Sequence, residues 1–409
     1  MAKIAARIVS VLTSATTMSA AFYAIMGVGF SGAHLIFAAV LPIEDYAVLT
    51  LVLAFVSLAF EFAPFGAQGV ILRRRLLPDI SMLVRVVAVA SLISTSFAVF
   101  LFMSYDLDRP LAVLTACAGA AGATIAVGAA YYQSAQRFGV ALPLDQSGNI
   151  YLIVGALAAL ALRSESIYLP MVVLAIGYLL TAVATWSSLL FKSTPSAESH
   201  QPYSWREAIS CLIVGGAVPV LLQLERMLIP KLLTFEELAN FGVLAALVVA
   251  PYRTLQMAAT FATIPRIRAI QSVSERQKFL RNEVFILSVL TVGGGLLLIW
   301  LAPIVVEFIY GSKFDLTGEV IFAAIFVGVI KAFCGLAKGV AVALCDTEEL
   351  AAIGKIVWLS AVASMFGAIV GSGWQLAGFI IGFGLGWVVM LVIYIVIAFR
   401  HLSTLARIS

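Results

Sequence analysis

Charged side chains are scarce in this sequence: Asp, Glu, Lys and Arg together make up 11% of its 409 residues. A soluble domain carries about 25% charged residues, so this composition excludes an ordinary soluble protein. Apolar residues make up 62% of the chain, and its mean hydropathy is +1.08. Because a membrane-spanning helix needs about 20 mostly apolar residues, the composition predicts about a dozen crossings and little extramembrane structure. The apolar runs are continuous rather than alternating, which excludes a transmembrane β-barrel.

Cysteine and histidine are also scarce, and neither shows a motif spacing. The cysteines all lie in apolar segments and form no C-x-x-C pair: Cys117, Cys211, Cys334 and Cys345. The histidines are widely separated along the chain: His34, His200 and His401. The sequence therefore predicts that the cysteines are small core residues, and it predicts neither a disulfide framework nor a metal site.

Twelve apolar segments separated by polar residues indicate twelve membrane-spanning helices. Their approximate bounds are 11–40, 47–70, 84–104, 111–131, 149–163, 167–191, 208–233, 239–263, 283–303, 318–344, 351–371 and 376–398. The sequence thus predicts an all-α polytopic membrane protein with a six-helix lobe in residues 1–192, a polar cytoplasmic linker in residues 193–207 and a second six-helix lobe in residues 208–409. Four prolines in or near these helices mark candidate bends: Pro64, Pro219, Pro251 and Pro303.

A short internal repeat supports the division into two halves. The stretch LPIEDYA at residues 41–47 resembles LTFEELA at residues 233–239, at an offset of 192 residues. Each stretch lies in the first predicted outer loop of its half. A six-helix repeat that begins and ends on one side gives two halves of equal topology, with a site expected at their interface. Acidic residues are also common in short outer loops, which is the simpler explanation of the match.

Basic residues predict the orientation of the chain in the membrane. If the N-terminus is cytoplasmic, seventeen Lys and Arg residues, including the run Arg73–Arg75, lie in inner loops or at inner helix ends, and four lie outside. Positive charge concentrates on the cytoplasmic side of membrane proteins. The sequence therefore predicts that both termini are cytoplasmic.

Several charged residues remain at membrane depth after the loops are assigned. The cations are Lys331, Lys338, Arg253 and Arg226, and the carboxylates are Glu61 and Glu225. A charge at the bilayer centre costs about 2.5–3.5 kcal/mol on insertion scales, so such side chains normally face a partner or a water-filled cavity. The excess of cations predicts a cavity that binds an anionic substrate. The two carboxylates are candidates for gating or for carrying a coupling proton.

Lys331 and Lys338 are the first candidates for substrate contact. They are seven residues apart, which is two helical turns and places them on one helix face. The alternative for each buried cation is a structural ion pair, or a side chain that reaches the membrane interface. That alternative is weakest for Lys331, which is predicted to lie about 20 Å from the outer end of its helix.

Five stretches spread over nearly the whole chain carry a resemblance to a known family: residues 38–47, Phe65-Gly66 with Arg73–Arg75, Tyr131–Phe138, Leu233–Gly242 and Ile309–Phe314. Their order and spacing resemble the Wzx-type polysaccharide flippases of the multidrug/oligosaccharidyl-lipid/polysaccharide exporter superfamily. The resemblance implies two six-helix lobes around a central cavity that opens alternately to each side of a bacterial inner membrane. Related flippases often carry cations in both lobes, whereas the first lobe here has no deep Lys or Arg.

The resemblance implies a non-enzymatic flippase. It would move an undecaprenyl-diphosphate-linked oligosaccharide from the cytoplasmic to the periplasmic leaflet for polysaccharide export. The implied partners are that anionic lipid-linked oligosaccharide, membrane lipids and polysaccharide assembly proteins, with no nucleic acid. No cofactor is implied, and H⁺ and Na⁺ are alternative coupling ions, since the sequence has no G-x-x-x-x-G-K-[ST] phosphate loop. The alternatives are a drug or metabolite cation antiporter of the same superfamily and, less favoured, a membrane glycosyltransferase or polymerase.

Overall fold

The computed structural model describes residues 15–74, 76–192, 203–270, 272–345 and 347–408, and within them it is helical without strands. The helices in these ranges are α1 Ala15–Val40, α2 Ile43–Phe62, α3 Ala67–Arg74, α4 Ile80–Tyr105, α5 Arg109–Ser134, α6 Phe138–Asp145, α7 Ser147–Leu162, α8 Tyr168–Lys192, α9 Trp205–Leu232, α10 Phe235–Leu244, α11 Ala250–Ala269, α12 Val273–Tyr310, α13 Gly318–Leu344, α14 Thr347–Gly371 and α15 Gln375–Ile408. A π-helical segment, Ala245–Val249, joins α10 to α11, and a 3₁₀ turn, Ser372–Trp374, joins α14 to α15.

The described helices confirm the all-α membrane class. Nine helical stretches in the described ranges are long and apolar enough to cross a membrane, or ten if α6 and α7, which meet at 54°, form one bent span. One of these stretches, Glu348–His401, is a hairpin of two helices, α14 and α15. Its two helices lie so close that a Cβ on Gly367 would collide with the backbone carbonyl of Gly382. The number of twelve crossings stays a prediction.

The chain divides into two compact units, residues 1–224 and residues 225–409. The division falls inside α9, so most of that helix belongs to the first unit and its last turns to the second. Residues 193–202 of the predicted linker lie outside the described residues. The predicted lobe boundaries therefore stay a prediction.

Helix α5 lies at the centre of the first unit and packs against α2, α4 and α8. Small residues allow this close approach, because a Cβ on Gly119 would meet Ala59 and Ser94, and one on Gly122 would meet the rings of Phe60 and Tyr178. Without a hydrophobic driving force between helices in lipid, such small-residue packing is a main source of helix association.

The predicted helix over residues 47–70 is interrupted in the structure. Helix α2 ends at Phe62, and a tight turn leads to the start of α3 at Ala67. Phe65 and Gly66 have φ values of 51° and 77°, and a side chain on Gly66 would collide with the carbonyl of Ala208. Pro64 in this turn removes a backbone donor, so the bend predicted there is confirmed.

The other predicted bends have mixed outcomes. Pro251 is the second residue after the π-helical segment, so the helix is irregular next to that proline as predicted. Helices α9 and α12 continue through Pro219 and Pro303, so the bends at these two positions stay a prediction. Neighbouring helices can satisfy the carbonyl that such a proline leaves without a donor.

The internal sequence repeat corresponds to equivalent helix starts. Helix α2 begins at Ile43 and α10 at Phe235, which are separated by the same 192 residues as the two similar stretches. Two matching positions are fully buried in both stretches, since Tyr46 corresponds to Leu238 and Ala47 to Ala239. This correspondence supports a duplicated architecture.

Helix α13 lies at the centre of the second unit and packs against α11, α12 and α15. Its glycines face α11: a Cβ on Gly328 would meet the Tyr252 ring, and one on Gly335 would meet the carbonyl of Gln256. The Thr260 hydroxyl donates a hydrogen bond of 2.9 Å to the Gly335 carbonyl, which fixes this contact.

Helix α12 is largely exposed although it is strongly apolar. It carries exposed side chains such as Phe285, Trp300 and Phe308, a pattern that fits contact with lipid tails. Its first ten residues, 273–282, precede the predicted membrane segment 283–303. Glu283, the first residue of that segment, accepts a hydrogen bond of 3.1 Å from Arg266 on α11.

Candidate functional site

Lys331 lies at the middle of α13, thirteen residues from each end of the helix. At 1.5 Å per residue this is about 20 Å from either end, which is the depth expected from the sequence. The residue is 2% exposed. A lysine with that burial needs a charged or strongly polar partner, because an isolated buried ammonium is costly.

The partner of Lys331 is Glu225, near the end of α9. The Lys331 Nζ donates to Glu225 Oε1 at 2.7 Å, and the side chains are 3% and 8% exposed. The ammonium also lies 5.2 Å from the centroid of the Trp387 ring on α15. This distance is within the range of a cation–π interaction. Side chains of α9, α13 and α15 thus meet at one buried charge pair, and all three of these residues belong to the second unit.

Trp387 adds a polar group to this cluster. Its side chain is fully buried, and its indole Nε1 has no hydrogen-bond partner among the described residues. A buried donor without an acceptor costs about 1–3 kcal/mol. The sequence reasoning did not select Trp387, since a tryptophan in an apolar helix has no signal that separates a site residue from a core residue.

Lys338 lies on the same face of α13 as Lys331. The helix is continuous between them, so their directions differ by about 20°. Lys338 is half-buried and forms no ion pair with any described residue. The predicted polar face therefore exists, with one lysine paired and fully buried and the other more accessible.

The two arginines of the predicted cluster also belong to the second unit. Arg226 follows Glu225 on α9 and is 8% exposed, and the two side chains point about 100° apart because they are adjacent on a helix. Arg253 lies on α11, in the first turn after the π-helical segment, and is half-buried. The second unit therefore holds all four predicted cations and one of the two predicted carboxylates.

Glu61 differs from the sequence-based expectation. It belongs to the first unit, where it lies in the last turn of α2, and its side chain is exposed rather than buried. The sequence placed it well inside a continuous helix, but α2 ends one residue later at the turn around Pro64. The expectation of a continuous helix around this carboxylate is therefore wrong, and its role in gating or coupling stays a prediction.

The arginine run of the first unit contacts a carboxylate at the start of α9. Arg74 Nη2 lies 2.6 Å from Glu207 Oε2, and Arg73 Nη1 lies 3.7 Å from Glu207 Oε1. Arg75 lies outside the described residues. These partly exposed pairs hold the end of α3 against α9.

The cysteines have different environments. Cys334 and Cys345 are buried as predicted, whereas Cys211 is half-buried and Cys117 is exposed. The prediction of a core position is wrong for Cys117, because an apolar segment of a membrane helix has both a protein-facing and a lipid-facing side.

One cluster of possible metal ligands was missed by the sequence reasoning. Sγ of Cys345 and ligand atoms of Glu349 and His401 all lie within 4.8 Å of one another. Cys345 and Glu349 are four residues apart, but His401 comes from another helix. No local spacing in the sequence could have shown this combination.

No protein-family model matches the chain, and no curated protein matches it in sequence. Solved structures do match over nearly its whole length. An inward-facing multidrug resistance MATE family transporter of the MOP superfamily has a TM-score of 0.64 at 15% identity, covering 94% of this chain and 96% of that one. The lipid II flippase MurJ, in an inward closed conformation, has a TM-score of 0.64 at 13% identity, covering 96% of this chain and 92% of that one.

A MATE structure in complex with MaD3S also matches, with a TM-score of 0.56 at 16% identity, and it covers 98% of this chain and 99% of that one. At such identities the similarity shows the fold. The chain therefore has the fold shared by MATE and MurJ transporters of the MOP superfamily.

Proposed function

We propose that this protein is a non-enzymatic flippase for an undecaprenyl-diphosphate-linked oligosaccharide. It moves this lipid from the cytoplasmic to the periplasmic leaflet of a bacterial inner membrane by alternating access, and so serves polysaccharide export. The observation that carries the proposal is the buried Lys331–Glu225 pair beside Trp387, at the middle of the central helix of the second unit. Ionisable residues inside membrane helices are functional-site hypotheses by default.

The charge balance of the second unit favours an anionic substrate. Its residues at membrane depth include four cations and the single carboxylate Glu225. A diphosphate supplies negative charges and several acceptor oxygens, which match lysine and arginine donors. The prenyl chain stays in lipid, and the sugars occupy a water-filled path.

The geometry also suggests how the substrate engages Lys331. In the described conformation the ammonium is neutralised by Glu225 at 2.7 Å. A phosphate oxygen competes with this carboxylate for the same ammonium donors, and the Trp387 indole supplies a further buried donor. Displacement of Glu225 leaves a carboxylate that can accept H⁺ or bind Na⁺. In this proposal, exchange of partners at Lys331 links substrate binding to the coupling ion.

The shared fold supports a transporter, and proteins with this fold represent both candidate substrate classes. The lipid II flippase MurJ favours a lipid-linked substrate, and the MATE multidrug transporters favour a drug or metabolite cation. The pairing of Glu225 argues against the cation antiporter. Its carboxylate is already neutralised by Lys331, and the neighbouring cations would repel a cationic substrate. The antiporter is therefore the second candidate.

The leaflet position of the lipid-linked repeat unit tests the proposal. In a deletion strain, a membrane-impermeant glycan-modifying reagent applied to intact spheroplasts should find the intermediate protected in the inner leaflet. The wild-type protein should restore access to the reagent, and Lys331→Ala should not. Lys355→Ala is the matched control, since Lys355 is an exposed lysine of the same unit.

Two outcomes would overturn the proposal. If the intermediate already lies outside in the deletion strain and is only unextended, a polymerase or transferase role replaces the flippase. If no glycan intermediate changes while drug or metabolite export does, the antiporter replaces it.

A further inference from the structure

A second cluster of reactive side chains lies apart from the lysine pair, at the end of the second unit that is predicted to be cytoplasmic. It consists of Cys345, Glu349 and His401, whose ligand atoms lie within 4.8 Å of one another. Cys345 is fourteen residues beyond Lys331 along α13, which corresponds to about 21 Å of helix. The cluster is therefore separate from the proposed substrate contact.

Each of the three side chains is held by a different element. Cys345 is the residue that ends α13, and its backbone N–H donates a 2.9 Å hydrogen bond to the Ala341 carbonyl. Glu349 lies in the first turn of α14, and His401 lies near the end of α15. The His401 Nε2 is 3.1 Å from Glu349 Oε2. The thiol is therefore placed beside an imidazole and a carboxylate that already contact each other.

The surroundings of the cluster suit a bound ion with restricted access to water. Ile267, Val340 and Ala398 form a buried apolar layer on the neighbouring turns of α11, α13 and α15. Cys345 is 9% exposed, while the side chains of His401 and Glu349 are 24% and 40% exposed. Cys345 is thus buried, and the other two ligands are partly exposed, which provides an entry path.

The donor set identifies the kind of ion. Thiolate and imidazole ligands select transition metals such as Zn²⁺, whereas Mg²⁺ and Ca²⁺ prefer oxygen ligands alone. Zinc binds Cys, His and carboxylate ligands, and three protein ligands leave a fourth position for water or another group.

We propose that Cys345, Glu349 and His401 form a binding site for Zn²⁺. The ion joins the connection between α13 and α14 to the end of α15, and thereby clamps the predicted cytoplasmic end of the second unit. Binding requires a deprotonated Cys345 and a neutral His401, so metal uptake releases protons and weakens in acid. The predicted cytoplasmic position fits a thiol that remains reduced.

Metal binding to the full chain purified in detergent tests this proposal directly. Equilibrium dialysis with Zn²⁺ alone should give one ion per chain at micromolar or lower free metal. Co²⁺ used alone as a spectroscopic substitute should produce a thiolate-to-cobalt charge-transfer band. Cys345→Ser should abolish that band, and both Cys345→Ser and His401→Ala should weaken Zn²⁺ binding more than about tenfold.

The controls separate a specific site from general thiol or histidine binding. Cys117→Ser removes an exposed cysteine elsewhere and should leave the Zn²⁺ stoichiometry and the Co²⁺ band unchanged. Glu349→Gln keeps the shape of the side chain and should weaken binding while the protein elutes normally in size-exclusion chromatography. Absence of stoichiometric Zn²⁺ binding, or a charge-transfer band that survives in Cys345→Ser, would overturn the proposal. Neither readout depends on transport, so the result is independent of the proposed flippase function.

Discussion

Helices α5 and α13 occupy the same place in their units but are built differently. Each is the fourth predicted membrane helix of its half, and each lies at the centre of its unit. Thirteen residues after its first residue, α5 has Gly122 and α13 has Lys331. The glycine contacts aromatic rings, and the lysine contacts Glu225 and Trp387.

This difference separates two roles, close packing and the placement of buried charge, between helices in equivalent positions. Helix α5 has no charged residue after Arg109 at its first position, so close packing of small residues holds it in place. Helix α13 also packs through glycines, on its side toward α11, and it carries lysines on another side. The charged chemistry is therefore concentrated in the second unit, in agreement with the absence of deep cations from the first predicted lobe.

The largest effect is expected from breaking the buried pair on one side. Glu225→Ala leaves the Lys331 ammonium without its carboxylate and should destabilise the protein by about 3–5 kcal/mol. Thermal unfolding in detergent micelles measures this loss. Helix α5 offers no equivalent substitution, because it has no charged residue after Arg109.

A double substitution separates the structural role of this pair from its functional role. Lys331→Met combined with Glu225→Leu replaces the ion pair with apolar groups of similar volume, which is often neutral for stability. The variant should unfold near the wild-type temperature and should fail to move the lipid-linked intermediate. Wild-type transport by a stable double variant would show that the pair is only structural.

Moving the charge to the other helix is expected to have the next largest effect. Gly122→Lys places an ammonium at the middle of α5, where the neighbouring contacts are the rings of Phe60 and Tyr178. The expected penalty is about 2.5–3.5 kcal/mol, the insertion cost of a central charge. The amount of monodisperse protein extracted from membranes measures it. Gly122→Met is the uncharged control for side-chain length, and equal losses in both variants would attribute the effect to size alone.

A smaller contrast is expected from alanine at the packing glycines. Gly335→Ala brings a methyl group against the rigid backbone carbonyl of Gln256, and it should cost about 1–3 kcal/mol. Gly122→Ala contacts ring atoms at 3.1 Å, which can shift by a few tenths of an ångström, so it should cost less. Unfolding temperatures of the two variants test this order. The reverse order would mean that α5, and not α13, has the tighter packing.

The smallest effect is expected at the partly exposed ion pairs of the first unit. Glu207→Gln removes the partner of Arg73 and Arg74, whose side chains are 54% and 31% exposed. Solvent screening limits such pairs to at most about 1 kcal/mol. Unfolding at low and high salt measures the change, which should shrink as salt is added. A loss as large as that of Glu225→Ala would show that exposure does not distinguish the two carboxylates.

The sequence predicted several parts of the candidate site but not how they combine. It identified Lys331 and Glu225 as charges at membrane depth and placed Lys331 at the correct depth in its helix. Their pairing joins residues 106 positions apart, which no spacing rule predicts. Glu61 was expected well inside a continuous helix, but α2 ends one residue after it. The contribution of Trp387 could be recognised only from its distance to Lys331.

The membrane class, the helices and the candidate charges were determined by the sequence itself. Transfer of a segment into lipid depends mainly on its own apolar content and on the internal hydrogen bonds of its helix, so these properties are local. The tertiary structure decided which side chains meet, including Lys331 with Glu225 and Cys345 with His401. Such contacts depend on how helices distant in sequence pack against one another, and that packing is set by the summed shape of many side chains rather than by any single segment.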